Sequence, residues 1–499
     1  MNPSLSLEVR VAQPLKILLV SSEVEPFSKT GGLADVSGAL PKALAALGHD
    51  VRVLTPKYWG IEKQAGALKT VVPTIAVPIA DRRSEGALQE GLMAGRVPVY
   101  FLEQDRYYDR EALYTTPQGD YQDNCERFIF FCRAAIEGIK ALGWKPQVIH
   151  ANDWQSGLIP VYLRTLYRDD PFFASCASLF TVHNLAFQGT FWHYDMPMTG
   201  LGWDLFTPAA LEFYGKINFL KGGLVFSTIV NTVSHTYAKE IQTEEFGCGL
   251  EGVLKERSQD LHGVVNGIDY EVWNPATDPE IPKRYAPDDL EGKAECKTAL
   301  RGKFGLAAGP APLIGMVTRI ASQKGLDLVL AALPGIIAEG AQLVLLGTGE
   351  PEMEDAFRQA AQRHQGQVAV KIGYDATIAR WIYAGADLFL MPSRYEPCGL
   401  GQLISLRYGT VPVVRWTGGL CDTVVEFNRS KKTGTGFGFF EYDAKVLLAA
   451  VHRALTVYRE GTVWRQLSKR GMAQGYSWEQ SAREYVTLYK KAIKQASRK

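Results

Sequence analysis

Short apolar runs recur along the whole chain and alternate with segments of helical period. In the first half the runs are KILLVSSE, VRVLTP, QVIHANDW, ASLFTVHN and TIVNTVS, and in the second half they are PLIGMVTRI, AQLVLLGTGE, VAVKIGY, ADLFLMPSRYEP and VPVVRWTGG. Because their apolar residues do not alternate with polar ones, these runs are typical of strands buried on both faces of a parallel sheet. The pattern predicts an α/β fold with two doubly wound, Rossmann-like sheets.

A segment rich in proline and charge separates the two halves. WNPATDPEIPKRYAPDDLEGKAE has the composition of a loop, so the junction is predicted near residues 262 to 290. A chain of 499 residues is also longer than one hydrophobic core usually organises. We therefore predict an N-terminal domain at 1–262 and a C-terminal domain at 263–475, with a deep cleft between their sheets.

Composition and charge exclude several classes of protein. The 54 basic and 53 acidic residues leave a net charge of +1, which gives no reason to expect a nucleic-acid or anionic-membrane partner. The seven cysteines are scattered and form no CxxC pair, so we expect neither a disulfide framework nor a zinc site, and we expect a reducing compartment. No apolar run is long enough to span a bilayer.

The N-terminal MNPSLSLEVRVAQP lacks the apolar core of a signal peptide, and we interpret it as a short leader to the first strand. We expect a cytoplasmic location. A plastid location is the alternative, if a transit peptide has been removed.

A glycine-bearing turn follows the first predicted strand. Lys29 precedes Gly31 and Gly32, and a helix with one apolar face comes next, formed by Leu33, Val36, Leu40, Leu44 and Leu47. Free backbone N–H groups at such a junction can point at an anion, and a lysine adds a full charge, so the segment predicts a phosphate site. The spacing matches neither the Walker pattern nor GxGxxG. The alternative is a tight turn with an exposed lysine.

Two cations stand close together in the second half. VTRIASQKGLD places Arg319 at the end of a strand and Lys324 at the start of a helix. Their mutual repulsion near a helix N-terminus is relieved when an anion lies between them, which favours a diphosphate. The alternative is a pair of surface cations, one of them paired with Asp327.

Two further loops follow predicted strands of the second half. In PSRYEPCGLGQLISLRYG, the Glu396 carboxylate can accept hydrogen bonds from sugar hydroxyls and offset charge at an oxocarbenium ion, or it can merely cap a helix. In WTGGLCDTV, the N–H groups of Thr417, Gly418 and Gly419, with Asp422 and Thr423 behind them, can hold a phosphate or a sugar.

Polar and aromatic residues also follow predicted strands elsewhere. In the first half, Asp153 and Trp154 leave one strand, and His183 and Asn184 leave the next, at the edge where open α/β sheets bind ligands. Trp154, like Tyr374 in the second half, either belongs to the core or offers a flat face to a sugar or a base.

Five motifs together resemble one enzyme family. KTGGLADV, TVHN, TRIASQKGLDL, SRYEPCGL and TGGLCDTV occur in the order found in bacterial glycogen synthases and plant starch synthases, which are retaining nucleotide-sugar glucosyltransferases of the GT-B type. The resemblance extends from about Ile17 to YSWEQSAREYVTLY near the C-terminus. It implies the GT-B fold and a C-terminal helix, at 476–499, that crosses back to the first domain.

The resemblance implies a role for each matching residue. Arg319 and Lys324 match the pair that stabilises the leaving diphosphate, Glu396 the carboxylate that holds the transferred glucose, and His183 the histidine near the sugar 6-hydroxyl. The implied donor-binding residues are Lys29, Gly31, Gly32, Asn266, Tyr374, Cys398, Gly399, Leu400, Thr417, Gly418, Gly419 and Thr423. The implied acceptor- or sugar-binding residues are Glu23, Asp35, Asp153, Trp154 and Asn184.

One position departs from the family's pattern. The family often has histidine after Asp-Trp, where this chain has Gln155. A glutamine still forms hydrogen bonds but does not titrate, so we expect the rate or the chain-length preference to differ if this position orients the acceptor glucan.

The resulting hypothesis is transfer of glucose from ADP-glucose to the non-reducing 4-hydroxyl of an α-1,4-glucan with retention of configuration. No metal is expected, because two cations already face the diphosphate, and no cofactor is expected, because ADP-glucose is a substrate. The alternatives are a UDP-glucose-using enzyme of the same fold and a glucan-binding protein that has lost catalysis. A dinucleotide-dependent oxidoreductase is disfavoured, because GxGxxG does not follow the first strand.

Overall fold

The computed structural model describes residues 13–116 and 118–498. Its contacts divide the chain into two compact units: the first contains the chain up to Val230 and again from Ala482, and the second is Asn231–Ser481. Residues 1–12 of the predicted leader, MNPSLSLEVRVAQP, lie outside the described residues. The domain ranges 1–262, 263–475 and 476–499 stay a prediction.

The first sheet contains strands from the N-terminal part of the chain. The strands up to residue 263 are β1 (Lys16–Val20), β2 (Asp50–Pro56), β3 (Lys69–Ile79), β4 (Arg82–Met93), β5 (Val97–Glu103), β6 (Thr115–Thr116), β7 (Gly119–Asp120), β8 (Val148–Asn152), β9 (Ala177–Val182), β10 (Thr190–Trp192), β11 (Glu212–Phe213), β12 (Lys216–Asn218), β13 (Ile229–Thr232) and β14 (Leu261–Gly263). The main sheet has the order β14-β13-β9-β8-β1-β2-β5-β4-β3, and the boundary between the two units falls inside β13.

The parallel centre of this sheet confirms the five strands predicted from the first half. β1 pairs in parallel with β2 and β8, and β8 pairs in parallel with β9. The apolar run at the start of the chain is buried on both faces, since Ile17, Leu18, Leu19 and Val20 are at most 1% exposed.

Three antiparallel parts of the first unit were not predicted. β3, β4 and β5 form a meander at one edge of the main sheet, β10, β12 and β11 form a small separate sheet, and β6 pairs with β7. The strands of the small sheet have two or three residues each, which is too short for a periodic signal. β3 alternates buried and exposed positions from Ile75 to Ile79, and β4 has two buried residues among its twelve, so neither has the continuous apolar run used in the prediction.

Helices follow most of the strands. They are α1 (Gly32–Ala46), α2 (Glu62–Ala65), α3 (Asp105–Tyr108), α4 (Asn124–Ala141), α5 (Leu158–Arg164), α6 (Phe219–Phe226), α7 (His235–Glu240), α8 (Glu251–Glu256), α9 (Glu291–Phe304), α10 (Leu326–Ala338), α11 (Pro351–Arg363), α12 (Ala376–Gly385), α13 (Gly401–Arg407), α14 (Gly419–Thr423), α15 (Ala444–Tyr458), α16 (Gly461–Met472) and α17 (Trp478–Ala496). The predicted apolar face of α1 is buried at Leu33, Val36, Leu40 and Leu44, whereas Leu47 lies just past the helix end and is half-buried.

The second unit contains the other predicted sheet. Its strands are β15 (Leu313–Val317), β16 (Gln342–Gly347), β17 (Val368–Ile372), β18 (Leu388–Met391), β19 (Val411–Arg415) and β20 (Phe437–Phe439), in the order β17-β16-β15-β18-β19-β20. Every neighbouring pair in this sheet is parallel. One core packs α10, α11, α15 and α16 against the sheet, and another packs α9, α12 and α13, as the doubly wound prediction requires.

The helices and the cysteines of the structure bear on the classes of protein that the sequence excluded. Within residues 13–116 and 118–498, no helix combines the length and hydropathy needed to cross a bilayer. Each of the seven cysteines lies in the described part and is a free thiol.

The C-terminal helix helps to satisfy a buried histidine of the first unit. His150 on β8 is fully buried, and its Nδ1 lies 2.9 Å from the hydroxyl of Tyr489 on α17. Its Nε2 lies 2.6 Å from Thr181 Oγ1 on β9. Burial lowers the pKa of His150 to about 3, so the ring is neutral and depends on these two partners.

We predict that Tyr489→Phe destabilises the first unit by about 1–3 kcal/mol, because it leaves a buried ring nitrogen without a partner. The measurement is the thermal unfolding midpoint of the full chain. The matched control is Tyr214→Phe, since Tyr214 belongs to the same unit and is 81% exposed. An equal, small effect of both substitutions would contradict the role assigned to Tyr489.

Candidate active site

The loop between β1 and α1 is organised by a buried carboxylate. Glu23 is 3% exposed and accepts hydrogen bonds from the backbone N–H of Thr30 at 2.6 Å and of Gly31 at 3.2 Å. It also accepts from Thr30 Oγ1 at 2.6 Å and from the Tyr114 hydroxyl at 2.9 Å. A buried carboxylate needs such donors, and the turn supplies the nearest ones. The prediction that the turn leaves its N–H groups free is therefore wrong for Thr30 and Gly31.

The mouth of α1 is nevertheless open and carries a cation. A Cβ added to Gly31 or Gly32 would meet no atom within 4 Å. Lys29 pairs with Asp35 Oδ1 at 2.7 Å and lies 3.5 Å from Glu25 Oε2, while its side chain stays 39% exposed. Burial raises the pKa of Asp35, and the Lys29 ammonium opposes that shift. The lysine can therefore reach a ligand at the cost of an ion pair that is only partly buried.

The predicted residues Asp153 and His183 lie close to Asn152 at the ends of β8 and β9. Asp153 Oδ1 accepts a hydrogen bond from the His183 backbone N–H at 2.7 Å, and His183 Nε2 lies 3.0 Å from Asn152 Oδ1. The amide of Asn152 donates through Nδ2 to Val20 O and His150 O, which fixes Oδ1 toward the histidine. Nε2 of His183 therefore carries the proton, and its Nδ1 is left as an acceptor.

Burial sets the protonation of this cluster. It lowers the pKa of His183 to about 3, so that the imidazole is neutral at ordinary pH. It raises the pKa of Asp153 to about 7, against the opposing backbone hydrogen bonds of His183 and Asn184. Asp153 also has a φ of 54° and a ψ of −179°, a backbone conformation that residues other than glycine rarely adopt and that indicates local strain.

The aromatic neighbour Trp154 is packed rather than free. Its ring lies 4.8 Å from Phe128, 5.7 Å from Phe191 and 6.4 Å from Tyr114, measured between centroids. A Cβ on Gly189 would meet the Trp154 ring at 2.3 Å. Trp154 is therefore mainly a structural residue beside the site.

Asn184 and Gln155 lie in the same region and differ in their hydrogen bonding. Asn184 Oδ1 accepts from the Ala186 backbone N–H at 3.1 Å. Gln155, the residue that departs from the family pattern, is 5% exposed, and its Oε1 has no hydrogen-bond partner in the described part of the chain.

In the second unit, the predicted cation Lys324 has a buried anionic partner. Its ammonium lies 2.6 Å from Glu396 Oε2, with side-chain exposures of 16% and 8%, and Ser393 Oγ donates to the same oxygen at 2.9 Å. Arg319 is exposed and donates to Gln323 Oε1 at 3.2 Å. Glu396 is thus the anion beside Lys324, where a diphosphate was predicted. The alternative partner Asp327 instead accepts from the Tyr442 hydroxyl at 2.5 Å.

The second glycine turn is also closed by a carboxylate. Gly418 N donates to Glu240 Oε1 at 2.9 Å and Oε2 at 3.0 Å, and Thr417 Oγ1 donates to Oε1 at 3.2 Å. Gly419 N donates to the Glu396 carbonyl oxygen at 3.1 Å. The prediction that these N–H groups await a phosphate is therefore wrong for Gly418 and Gly419. Gly418 has a φ of 46°, and a Cβ there would lie 2.0 Å from the Glu396 oxygen, so only glycine fits.

The remaining predicted donor residues lie around this turn or on a neighbouring loop. Cys398 is buried, which raises the pKa of its thiol to about 12, and Leu400 immediately precedes α13. Gln402 Nε2 donates to the carbonyl oxygens of Cys398 and Gly399 and to Thr423 Oγ1, at 2.9 to 3.1 Å. This amide ties the loop after β18 to α14.

Two of the predicted residues differ from the others in side-chain pairing or exposure. Asn266 is 5% exposed, and its Oδ1 has no hydrogen-bond partner among the described residues. Tyr374, in the loop after β17, is 85% exposed.

Sequence reasoning missed the residues that support the site from behind. Glu240 and Tyr114 each hold a predicted residue through hydrogen bonds, yet neither lies in a predicted motif. Gln402 and Asn152 do the same and lie inside PSRYEPCGLGQLISLRYG and QVIHANDW, but they were not predicted as site residues. Glu240 lies 178 positions before its partner Gly418. Such a contact leaves no local signal in the sequence.

Comparisons with known proteins identify the family. A family model for the starch synthase catalytic domain matches residues 16–256, and one for glycosyl transferases group 1 matches residues 301–469. A glycogen synthase of Syntrophotalea carbinolica is 50% identical over 480 residues, covering 96% of this chain and 99% of that protein. The chain belongs to the glycogen synthase family. A second member, the glycogen synthase of Thermotoga maritima, is 47% identical and is covered over its full length.

Solved structures give the same assignment. The catalytic domain of starch synthase IV from Arabidopsis thaliana, bound to ADP and acarbose, matches with a TM-score of 0.90 at 34% identity, over 97% of this chain and all of that one. A sucrose-phosphate synthase from Thermosynechococcus elongatus, at 18% identity and a TM-score of 0.58, shares the fold. The predicted GT-B fold and glucosyltransferase activity of this glycogen synthase family member are confirmed.

The raised pKa of Asp153 predicts that the stability of the protein depends on pH. Since its folded pKa of about 7 exceeds the ordinary value of 3.8, its contribution to stability is full below pH 4 and is lost as pH rises toward 7. Asp153→Asn keeps the acceptor oxygen and removes this titration. We expect the melting temperature of the variant to gain on that of the wild type between pH 4 and 7. The exposed Asp81→Asn is the control, and a pH-independent difference for Asp153→Asn would refute the assignment.

Proposed function

We propose that this glycogen synthase family member transfers glucose from ADP-glucose to the non-reducing 4-hydroxyl of an α-1,4-glucan, with retention at the anomeric carbon. The observation that carries the proposal is the ion pair of the half-buried Lys324 and the buried Glu396, which lie in the segments that follow β15 and β18 in the second unit. These are the strand ends at which an open α/β sheet binds ligands.

Lys324 and Arg319 are assigned to the diphosphate. Lys324 already has one carboxylate partner, and a diphosphate oxygen supplies a second anion to the same ammonium, which has three N–H donors. Arg319 is exposed and makes one neutral hydrogen bond, so its guanidinium is available for a charge-assisted contact. As the bond to glucose breaks, negative charge grows on the phosphate, and both cations stabilise it.

Glu396 is assigned to the transferred glucose. Its Oε2 accepts from Lys324 and Ser393, which leaves Oε1 to accept from a sugar hydroxyl. Asn266, whose buried amide oxygen lacks a partner, offers a second acceptor for the sugar. His183 is assigned to the 6-hydroxyl, since its neutral ring presents Nδ1 as an acceptor.

The proposed chemistry takes place on one face of the glucose. The bond from the anomeric carbon to the phosphate oxygen breaks, and a bond from the same carbon to the acceptor 4-oxygen forms on the same side. The proton of the acceptor hydroxyl moves to the departing phosphate oxygen, so no carboxylate nucleophile is needed. Glu396 then acts by offsetting the positive charge of the oxocarbenium-like transition state.

The remaining predicted residues have supporting roles in this proposal. Tyr374 stacks on the nucleotide base, and Lys29 contacts the donor phosphate beside Gly31 and Gly32. The loop of Cys398, Gly399 and Leu400 and the turn of Thr417, Gly418, Gly419 and Thr423 line the donor. Glu23, Asp35, Asp153, Trp154 and Asn184 orient the acceptor or support the residues that do.

We also propose the coarser biological setting. The substrates are ADP-glucose and a glucan, and the reaction as written uses no cofactor or metal. Among the described residues, no group of three or more His, Cys, Asp and Glu is placed to hold a metal ion. A cytoplasmic location fits the bacterial relatives, and nothing in the comparisons favours a plastid. The domains at 1–262 and 263–475 and the C-terminal helix are proposed as the functional division of the chain.

The test of this proposal is the initial rate of glucose transfer to glycogen from labelled ADP-glucose and, separately, from UDP-glucose, in the presence of EDTA. Rapid transfer from ADP-glucose alone is the expected result. A preference for UDP-glucose would favour the alternative donor. Absence of transfer from both, with glycogen binding intact, would favour a binding protein that has lost catalysis.

In the same assay we expect Lys324→Met to lower kcat by a factor of about 100 or more, since loss of one preorganised donor costs about 3 kcal/mol of barrier. The matched control is Lys283→Met, which removes an exposed lysine whose partner Glu295 lies 3.7 Å away. A change confined to the KM for ADP-glucose would show that Lys324 binds the donor without stabilising the transition state.

A further inference from the structure

A fully buried amide lies behind the loop that follows β18. Gln402, the second residue of α13, has no exposed surface. Its Nε2 lies 3.0 Å from the carbonyl oxygen of Cys398 and 2.9 Å from that of Gly399. The same nitrogen donates to Thr423 Oγ1 at 3.1 Å. One side chain therefore contacts both the loop after β18 and α14.

The neighbours of this amide allow it one orientation. The Thr423 hydroxyl donates to the Gly419 carbonyl oxygen at 2.6 Å, so its own oxygen is left to accept from Gln402. The reverse orientation would place Oε1 of Gln402 against two carbonyl oxygens. As it stands, Oε1 has no hydrogen-bond partner among residues 13–116 and 118–498. An unpaired buried oxygen is unfavourable, so packing alone does not account for an amide at this position.

The contacts of Gln402 fix two peptide groups. The peptide bonds of this loop are trans, so each carbonyl points away from the N–H group of the next residue. Because the carbonyls of Cys398 and Gly399 point at Gln402, the N–H groups of Gly399 and Leu400 point away from it. Neither N–H group donates to another described residue.

The backbone angles present these two N–H groups together. Gly399 has a φ of 76° and Leu400 has a φ of −110°, and such a change of sign turns successive N–H groups to one side. A Cβ on Gly399 would lie 2.4 Å from Gln402 Oε1, so the glycine and the amide depend on each other. The result is a pair of donors that can meet oxygen atoms of a ligand.

The position of the loop selects the ligand oxygens. Glu396, which is assigned to the transferred glucose, lies three residues before Gly399 in the same segment. The diphosphate is assigned to the cations Arg319 and Lys324 instead. The hydroxyl oxygens of the glucose are therefore the acceptors that we assign to the N–H groups of Gly399 and Leu400.

We propose that Gln402 is a positioning residue of the second unit. Its amide holds the peptide groups on both sides of Gly399, so that the N–H groups of Gly399 and Leu400 face the glucose of the donor. The proposal rests on the proposed function, which places this loop at the donor. Gln402 acts through the backbone, and donors that are fixed before the substrate arrives need no reorganisation during the reaction.

The test uses Gln402→Met and Gln402→Glu in the full chain. Methionine is similar in length and lacks the N–H donors, whereas glutamate keeps the shape and places an acceptor against the two carbonyl oxygens. Where Gln402→Met fails to fold, Gln402→Glu carries the test.

Gln342 provides a matched control in the same unit. It is 3% exposed, and its Nε2 also donates to two carbonyl oxygens, those of Ala307 at 2.8 Å and Gly366 at 3.1 Å. Gln342 is the first residue of β16, so it lies at the end of the sheet opposite the ligand edge. Gln342→Met and Gln342→Glu therefore disturb a comparable buried amide away from the donor.

Two kinds of quantity are measured for each variant. The dissociation constants for ADP-glucose and for ADP are determined by calorimetry without glucan, and kcat and the KM for ADP-glucose are determined with glycogen. We expect the Gln402 variants to bind ADP-glucose about tenfold more weakly and ADP as tightly as the wild type, with kcat lowered by a factor of about 10–100. The Gln342 variants keep the wild-type values, although the thermal unfolding midpoint falls in both sets.

Three results would overturn the proposal. Wild-type affinity and kcat in the Gln402 variants would show that the amide has a structural role only. Equal weakening of ADP and ADP-glucose binding would place the two N–H groups at the diphosphate rather than at the sugar. Equal losses in the Gln342 variants would attribute the effect to stability. A wild-type protein that binds ADP-glucose without transferring glucose would refute the proposed function, and the binding comparison would still decide the role of Gln402.

Discussion

A carboxylate determines the local structure of each glycine turn: Glu23, buried after β1, in the first unit, and Glu240, half-buried at the end of α7, in the second. A carboxylate taken out of water must be met by several donors, and backbone N–H groups of a tight turn supply them without any side-chain entropy. Glu23 meets Thr30 and Gly31 in this way, and Glu240 meets Gly418. The N–H groups of these turns are therefore bound to carboxylates of the protein and do not depend on a substrate anion for their conformation.

In the second unit, these contacts connect the glycine turn to the loop that carries Glu396. Glu240 holds Gly418, Gly419 donates to the Glu396 carbonyl, and the Glu396 side chain pairs with Lys324. Reciprocally, Asp422 accepts from the Thr236 backbone N–H and hydroxyl at 3.1 and 2.6 Å, so α7 and α14 are joined at both ends. A charged pair that is fixed before substrate arrives has little to reorganise during the reaction, and preorganisation of that kind is the largest electrostatic contribution to catalysis.

The sequence predicted the parts of the molecule that have local signals. The ten apolar runs are strands because a parallel sheet buries them on both faces, and Lys324, Glu396 and His183 were predicted as site residues because each follows such a strand. The partners of those residues could not be predicted. The hydrogen-bond donors of Glu23 depend on the tertiary structure. The pairing of Lys324 with Glu396 rather than Asp327 likewise depends on contacts over long sequence separations.

The central claim is that the Glu240 carboxylate acts on catalysis by holding the loop of Glu396, and a double-mutant cycle tests it most directly. The quantity is kcat/KM for ADP-glucose in the wild type, Glu240→Ala, Glu396→Gln and the double variant. We predict a coupling of about 1 kcal/mol or more, with the double variant losing clearly less than the sum of the two single losses. Additive losses would show that Glu240 and Glu396 act independently and would contradict this account.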